Sequence, residues 1–98
     1  MEVKIFISSV AADRELADGL VKKLERENYK VFYENHEKRS YDLDMAKYEA
    51  LVDCDLFICL ISDYYIDDYR AVEALYLAKD KRKKIVFFSS KPFIFDAL

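Results

Sequence analysis

The side chains best equipped for chemistry in this chain are concentrated in ten residues, "YYIDDYRAVE", from Tyr64 to Glu73. They follow an apolar run, "LFICLIS", and open a segment of helical spacing. Tyr64, Tyr65, Tyr69, Arg70 and three acidic groups therefore stand where a buried strand hands over to a helix. Aromatic faces, a guanidinium fork and carboxylates together can grip a ligand that has planar and charged parts. The same letters also have a plain structural reading. Tyrosines after a strand can be half-buried packing residues with wet hydroxyls, Glu73 can be a solvated helix residue, and Ser8, Ser9 and Ser62 can simply cap or turn the chain.

Other chemistries are excluded by what the chain lacks. Its one glycine, Gly19, falls inside a helical segment, so there is no phosphate-cradling P-loop and no G-x-G-x-x-G fingerprint. Any nucleotide must be held by side chains. Cys54, Cys59 and the only histidine, His36, do not have metal-ligand spacing, so no metal site is expected. With Cys59 inside an apolar strand, the two thiols read as reduced, core-packed groups, which points to the cytoplasm. A net charge of -3 excludes the broad basic footprint of a nucleic-acid binder. The basic run "KDKRKK", Lys79 to Lys84, reads as a helix end whose cations complement the terminal carbonyls, with a nucleic-acid or acidic-lipid contact as the alternative. The first apolar run, "VKIFISSV", is too short for a secretory signal, and no run is long enough to span a bilayer.

The elements that must position these residues are legible. At 98 residues the chain is one domain, 1–98, with a single core. Strands are expected at Val3 to Ile7, Lys30 to Tyr33, Leu56 to Ile61 and Lys84 to Phe88. The first, third and fourth are almost continuously apolar, the pattern of parallel strands covered on both faces. Between them, Asp13 is placed to cap a helix running to about Glu27 with Leu16, Ala17, Leu20, Val21 and Leu24 inward. A second helix from about Asp44 turns Met45, Tyr48, Leu51 and Val52 to one side, and a third from about Asp68 to Lys81 turns Val72, Leu75 and Tyr76 inward. The order βαβαβαβ with right-handed crossovers gives an α/β, flavodoxin-like three-layer fold with a short parallel sheet of order 2-1-3-4. Ligands bind beyond the carboxyl ends of the strands where the winding reverses, between strands one and three. Ser8 and Ser9 follow strand one there, and Ser62 to Glu73 follow strand three. The tail "SSKPFIFDAL" reads as an edge strand, a cover for a sheet edge, or a contact with a second copy.

The runs "VKIFISSVAADRELADGLVKKLERENYKVFYENHEKR" and "AKYEALVDCDLFICLISDYYIDDYRAVEALYLA" resemble a TIR (Toll/interleukin-1 receptor) domain of the compact bacterial type. The residues that carry the resemblance are Phe6 to Ser8, Asp13, Tyr29 to Phe32, Asp53 to Asp55, and Leu60 to Glu73, and it covers about residues 3 to 88. Tyr69 stands where the family has tryptophan and Arg70 where it has cysteine. The loop Glu34 to Asp44 lacks the usual Pro-Gly, and the chain stops after strand four, truncated relative to a full TIR domain.

In enzymatic members a glutamate early in the helix after strand three supports cleavage of the nicotinamide N-glycosidic bond of NAD, and Glu73 matches that position. Glu73 lies about 100° around the helix from Val72 and about 60° from Tyr76, on the border of the expected apolar face. The resemblance implies that NAD is a substrate rather than a cofactor. It makes Tyr64, Tyr65 and Tyr69 candidates to stack on nicotinamide or adenine, and Arg14, Arg39 and Arg70 candidates to meet the diphosphate. Ser8 and Ser9 would line the floor, with Ser62 beside them.

Three readings follow. The first is an NAD-cleaving enzyme that yields a cyclic ADP-ribose type of signal, as bacterial members do in antiphage defence. The second is a non-catalytic interaction module that associates with itself or with another TIR domain, through the loop Glu34 to Asp44, with Lys38 and Arg39, and the surface 64–72. The third is an enzyme like the nucleoside deoxyribosyltransferases, which share the architecture and use a carboxylate as nucleophile.

Overall fold

The computed structural model describes residues 2–33 and 41–89. Strand β1 is Lys4–Ser8, followed by a 3-10 turn, Ala11–Asp13, and helix α1, Arg14–Arg26. Then come β2, Lys30–Tyr33, α2, Tyr41–Asp53, and β3, Leu56–Leu60. A single helical turn, α3, Asp63–Ile66, precedes α4, Tyr69–Asp80, and β4, Ile85–Phe88. All pairings are parallel and the sheet order is β2-β1-β3-β4, as the sequence indicated.

Alternation along the strands builds a core on each face of the sheet. Phe6, Phe57, Cys59 and Ile61 face Leu51 and Cys54 of the α2 region together with Tyr65, Ala71, Ala74 and Ala78. Ile5, Ile7, Ile58 and Leu60 face Ala17, Leu16, Leu20, Val21 and Leu24 of α1. The sheet is thus sandwiched between α1 and the pair α2 and α4, in three layers. Phe6 holds the centre of one face, its ring stacked on Phe32 at 5.2 Å and on Phe57 at 5.3 Å.

Four local expectations are corrected. Asp13 makes no cap bond to α1, because its carboxylate is taken by Ser62 across the sheet. In α2, Met45, Tyr48 and Val52 are exposed, and only Leu51 of that stripe is buried, with Ala50 beside it. In α4 the inward stripe is Ala71, Ala74 and Ala78, with Val72 and Leu75 on its flanks and Tyr76 exposed. Small side chains let a helix lie close to the sheet, and a periodicity that weighs bulk overlooks them. Finally, β4 is not covered on both faces, since Val86, Phe87 and Phe88 are exposed at the sheet edge.

With one glycine in the chain, two helices end on other residues. Asn28 and Arg82 take the left-handed conformation, at φ 68° and 56°. Beyond them Tyr29 N bonds Leu24 O and Lys83 N bonds Ala78 O, which is the Schellman closure of α1 and of α4. The basic run therefore does serve as a helix end, and the Lys83 ammonium also bonds the carbonyls of Val52 and Cys54 at the end of α2.

Gly19 itself has an ordinary helical conformation on the exposed side of α1, and a Cβ there would meet nothing within 4 Å. Gly19→Ala is expected to stabilise the fold by about 0.5–1 kcal/mol, because it removes freedom from the unfolded chain without a clash. The check is the urea midpoint, and a midpoint that falls would contradict this account of α1.

Candidate functional site

The carboxyl ends of β1 and β3 lie side by side, with Ser8 in register with Cys59. The chain leaves β3 into Ser62, whose hydroxyl caps α3 by accepting from Tyr65 N at 3.2 Å. The same hydroxyl donates to Asp13 Oδ2 at 2.6 Å, tying this corner to the start of α1. Asp68 caps α4, its Oδ1 accepting from Ala71 N at 3.0 Å. Two of the polar groups in the β3–α4 connection are therefore spent on folding the connection.

Tyr65 is a core residue with 0% of its surface exposed. Its phenol donates to the Ala71 carbonyl at 2.9 Å and lies 2.8 Å from Ser8 Oγ, which must then be the donor in that bond. A ring with no exposed face cannot stack on a ligand, so the stacking role expected of Tyr65 is corrected, and the Ser8 hydroxyl is occupied in the same bond. Tyr64 and Tyr69 are exposed on the corner, Tyr69 at 79%.

Ser9 is 4% exposed and belongs to the other side of the site. Its Oγ stands near the Tyr33 phenol and, among the described residues, meets no partner at hydrogen-bonding geometry. Burial pushes the Tyr33 phenol up, and the Ser9 hydroxyl offsets this in part. Arg14 is exposed at the first residue of α1, close enough to influence Tyr33. Arg39, with the loop Glu34 to Asp44 up to residue 40 and the tail from residue 90, lies outside the described residues.

Arg70 and Glu73 do come together. They share an open cleft of about 250 Å³ between α2 and α4 with Lys47, Tyr48, Leu51, Ala74 and Leu77. Glu73 is exposed, less desolvated than a place on the apolar border implies, because the inward stripe of α4 is centred on its alanines. The cleft offers one carboxylate, two cations and a ring over a floor of Leu51, Ala74 and Leu77. Such a set can accept hydrogen bonds from sugar hydroxyls, neutralise phosphates and flank a planar base. Lys47 and Tyr48 were not anticipated. Their spacing with Leu51 was readable on α2, but nothing local says that α2 faces α4.

Cys54 and Cys59 are free and buried. Burial pushes the Cys59 thiol up to about 11 and raises the Tyr65 phenol beside it. A raised acid keeps its proton in the fold after the unfolded chain has lost it, so stability is full below the ordinary thiol value near 9.0 and is lost as pH rises toward 11. Melting temperatures measured from pH 8 to 11 are expected to fall through this window. A flat profile would show that neither group is desolvated as described. Among the described residues no cluster of His, Cys, Asp or Glu could hold a metal ion, and no helix is long and apolar enough to cross a membrane.

A family model described as "TIR domain" matches residues 5–92. Among solved structures, the TIR domain of the Toll-related receptor TRR-2 from Hydra magnipapillata superposes with a TM-score of 0.79 at 19% identity, over 95% of this chain and 74% of that one. The CMP N-glycosidase BcmB of Clostridium botulinum superposes with a TM-score of 0.66 at 20% identity, over 88% of this chain and 68% of that one. At these identities the likeness is one of fold. No curated protein matches the chain.

Proposed function

This chain belongs to the TIR domain family, and from that premise we propose that it cleaves the nicotinamide N-glycosidic bond of NAD, with Glu73 as the catalytic carboxylate. The observation that carries the reading is the cleft in which Glu73 lies with Arg70, Lys47 and Tyr48. A fold shared with an enzyme named as a CMP N-glycosidase supports N-glycosidic chemistry as the class.

Breaking this bond builds positive charge on the ribose. A fixed carboxylate that accepts from the ribose hydroxyls attracts the transition state more strongly than the ground state. Nicotinamide in NAD is already cationic and leaves without a general acid, so a single carboxylate suffices, unlike the pair that an ordinary glycosidase needs. Arg70 and Lys47 meet the diphosphate. Tyr48 flanks one ring of the dinucleotide, and Tyr64 and Tyr69 supply aromatic faces at the corner. Water that takes the place of nicotinamide at the ribose carbon, losing a proton, would give ADP-ribose, and an adenine nitrogen of the same molecule in its place would give a cyclic ADP-ribose type of signal, made in the cytoplasm in a defence or signalling pathway.

The second reading, a non-catalytic module that associates with its own kind, is favoured by a different observation. Met45 and Val52 on α2 and Val86, Phe87 and Phe88 on β4 expose apolar surface, and TIR domains in general associate with one another. The deciding experiment incubates the protein at high concentration with NAD, and in parallel with CMP, and follows release of free base by chromatography. Nicotinamide release supports the enzyme, cytosine release alone would move the substrate to a pyrimidine nucleotide, and no release from a folded, associated sample overturns the enzymatic reading.

A further inference from the structure

We propose that Tyr65 is a positioning residue that sets Glu73, through the bonds of its phenol to Ser8 and to the Ala71 carbonyl; this rests on the catalytic reading of Glu73. The phenol has no exposure to solvent and cannot touch substrate. Its two bonds link the carboxyl end of β1 to the first turn of α4, 2.8 Å to Ser8 Oγ and 2.9 Å to Ala71 O. Ala71 lies between the cleft residues Arg70 and Glu73, and Asp68 fixes the Ala71 amide from the other side at 3.0 Å. The first turn of α4 is thus held at both its N–H and its C=O, and the residue that holds the C=O is anchored in the sheet.

A second tie supports the same corner. Ser62 begins the turn that carries Tyr65 and donates to Asp13 at the head of α1, so the β1 and β3 connections are pinned to each other twice. Helix α4 faces the sheet mainly through Ala71, Ala74 and Ala78, with Val72, Leu75 and Leu77 packed at their flanks, and alanines slide more easily than interlocking large side chains. Without the phenol, the cleft face of α4 keeps its burial but loses the bonds that define its height above the strand ends. Catalysis by a fixed carboxylate is sensitive to displacements of about 1 Å, which can lower the rate by as much as about 10²-fold.

Tyr65→Phe keeps the ring and removes only the hydroxyl. With the fold intact and the assay far below the melting temperature, kcat for NAD cleavage is expected to fall about tenfold with KM within about twofold, because orientation rather than binding is lost. Amide exchange of Leu75, whose helical acceptor is the Ala71 carbonyl, is expected to accelerate while amides in α1 keep their protection. Ser8→Ala, which removes the sheet anchor alone, should shift both readouts in the same direction and serves if Tyr65→Phe does not fold. Tyr29→Phe, far from the cleft, should shift neither.

A folded Tyr65→Phe with wild-type kcat overturns the proposal. If the wild-type protein cleaves no NAD, the catalytic reading fails by itself. Amide exchange still decides the positioning role, and unchanged protection at Leu75 in both variants overturns it.

Discussion

Glu73→Gln is expected to leave a folded protein whose release of nicotinamide from NAD has fallen by at least about 10²-fold, the loss typical of removing one preorganised stabiliser of transition-state charge. Glutamine has nearly the same shape and can still accept a hydrogen bond from a ribose hydroxyl. What it lacks is the negative charge opposite the developing oxocarbenium ion, so the loss should fall on kcat. The fold should not register the change. Glu73 is exposed, and surface substitutions of this kind stay within about 0.5 kcal/mol. Melting temperature and oligomeric state measured beside the assay therefore separate loss of chemistry from loss of structure. Activity within twofold of wild type in Glu73→Gln would remove Glu73 from the mechanism and return the cleft to the status of a surface groove.

The architecture was legible because it depends on patterns that repeat. The continuously apolar β1 and β3, the leucine stripe of α1 and the alternation of strand and helix fix the parallel sheet, and the right-handed crossover rule prunes its orders. The location of Glu73 early in α4 was legible too, through the match to the family pattern around "YYIDDYRAVE". Its surroundings were not. Lys47 and Tyr48 lie more than twenty residues away on α2, and only the packing of α2 beside α4 brings them to Glu73. The inward face of α4 differs from the bulky stripe that the sequence suggests, for a physical reason. Ala71, Ala74 and Ala78 fit the helical period as well as Val72, Leu75 and Tyr76 do, and only the close approach to Phe57 and Cys59 decides between the two stripes. The same holds for Tyr65, Ser62 and Asp13, which sequence reading offered to a ligand or a cap. Ser62 does cap α3, as its place after a strand allows, but its hydroxyl also donates to Asp13, and the Tyr65 phenol is held by Ser8 and Ala71, partners 6 to 57 positions away.

Phe57→Ala should destabilise the fold by about 3–5 kcal/mol. Phe57 is fully buried at the centre of β3, and its ring lies almost parallel to that of Phe6, at 7° and 5.3 Å. Phe6 in turn stacks on Phe32 of the edge strand, so one row of rings spans β3, β1 and β2. Truncation at Phe57 removes its stack on Phe6 and leaves a cavity beneath α4, where the alanine stripe has no bulk with which to fill it. A domain of this size has a total stability of about 5–15 kcal/mol, and each kcal/mol shifts its melting point by about 4–8 °C. The expected fall is thus at least about 12 °C. Phe32→Ala should be milder, because Phe32 is only partly buried on an edge strand and its loss can be relieved toward solvent. Equal losses at the two positions would mean that a ring on the edge strand contributes as much as one fully buried in β3. If Phe57→Ala is the larger, the more rigid end of the row is the same β3 that delivers Ser62 and Tyr65 to the corner. Activity per folded molecule should then decline together with stability at Phe57, but not at Phe32.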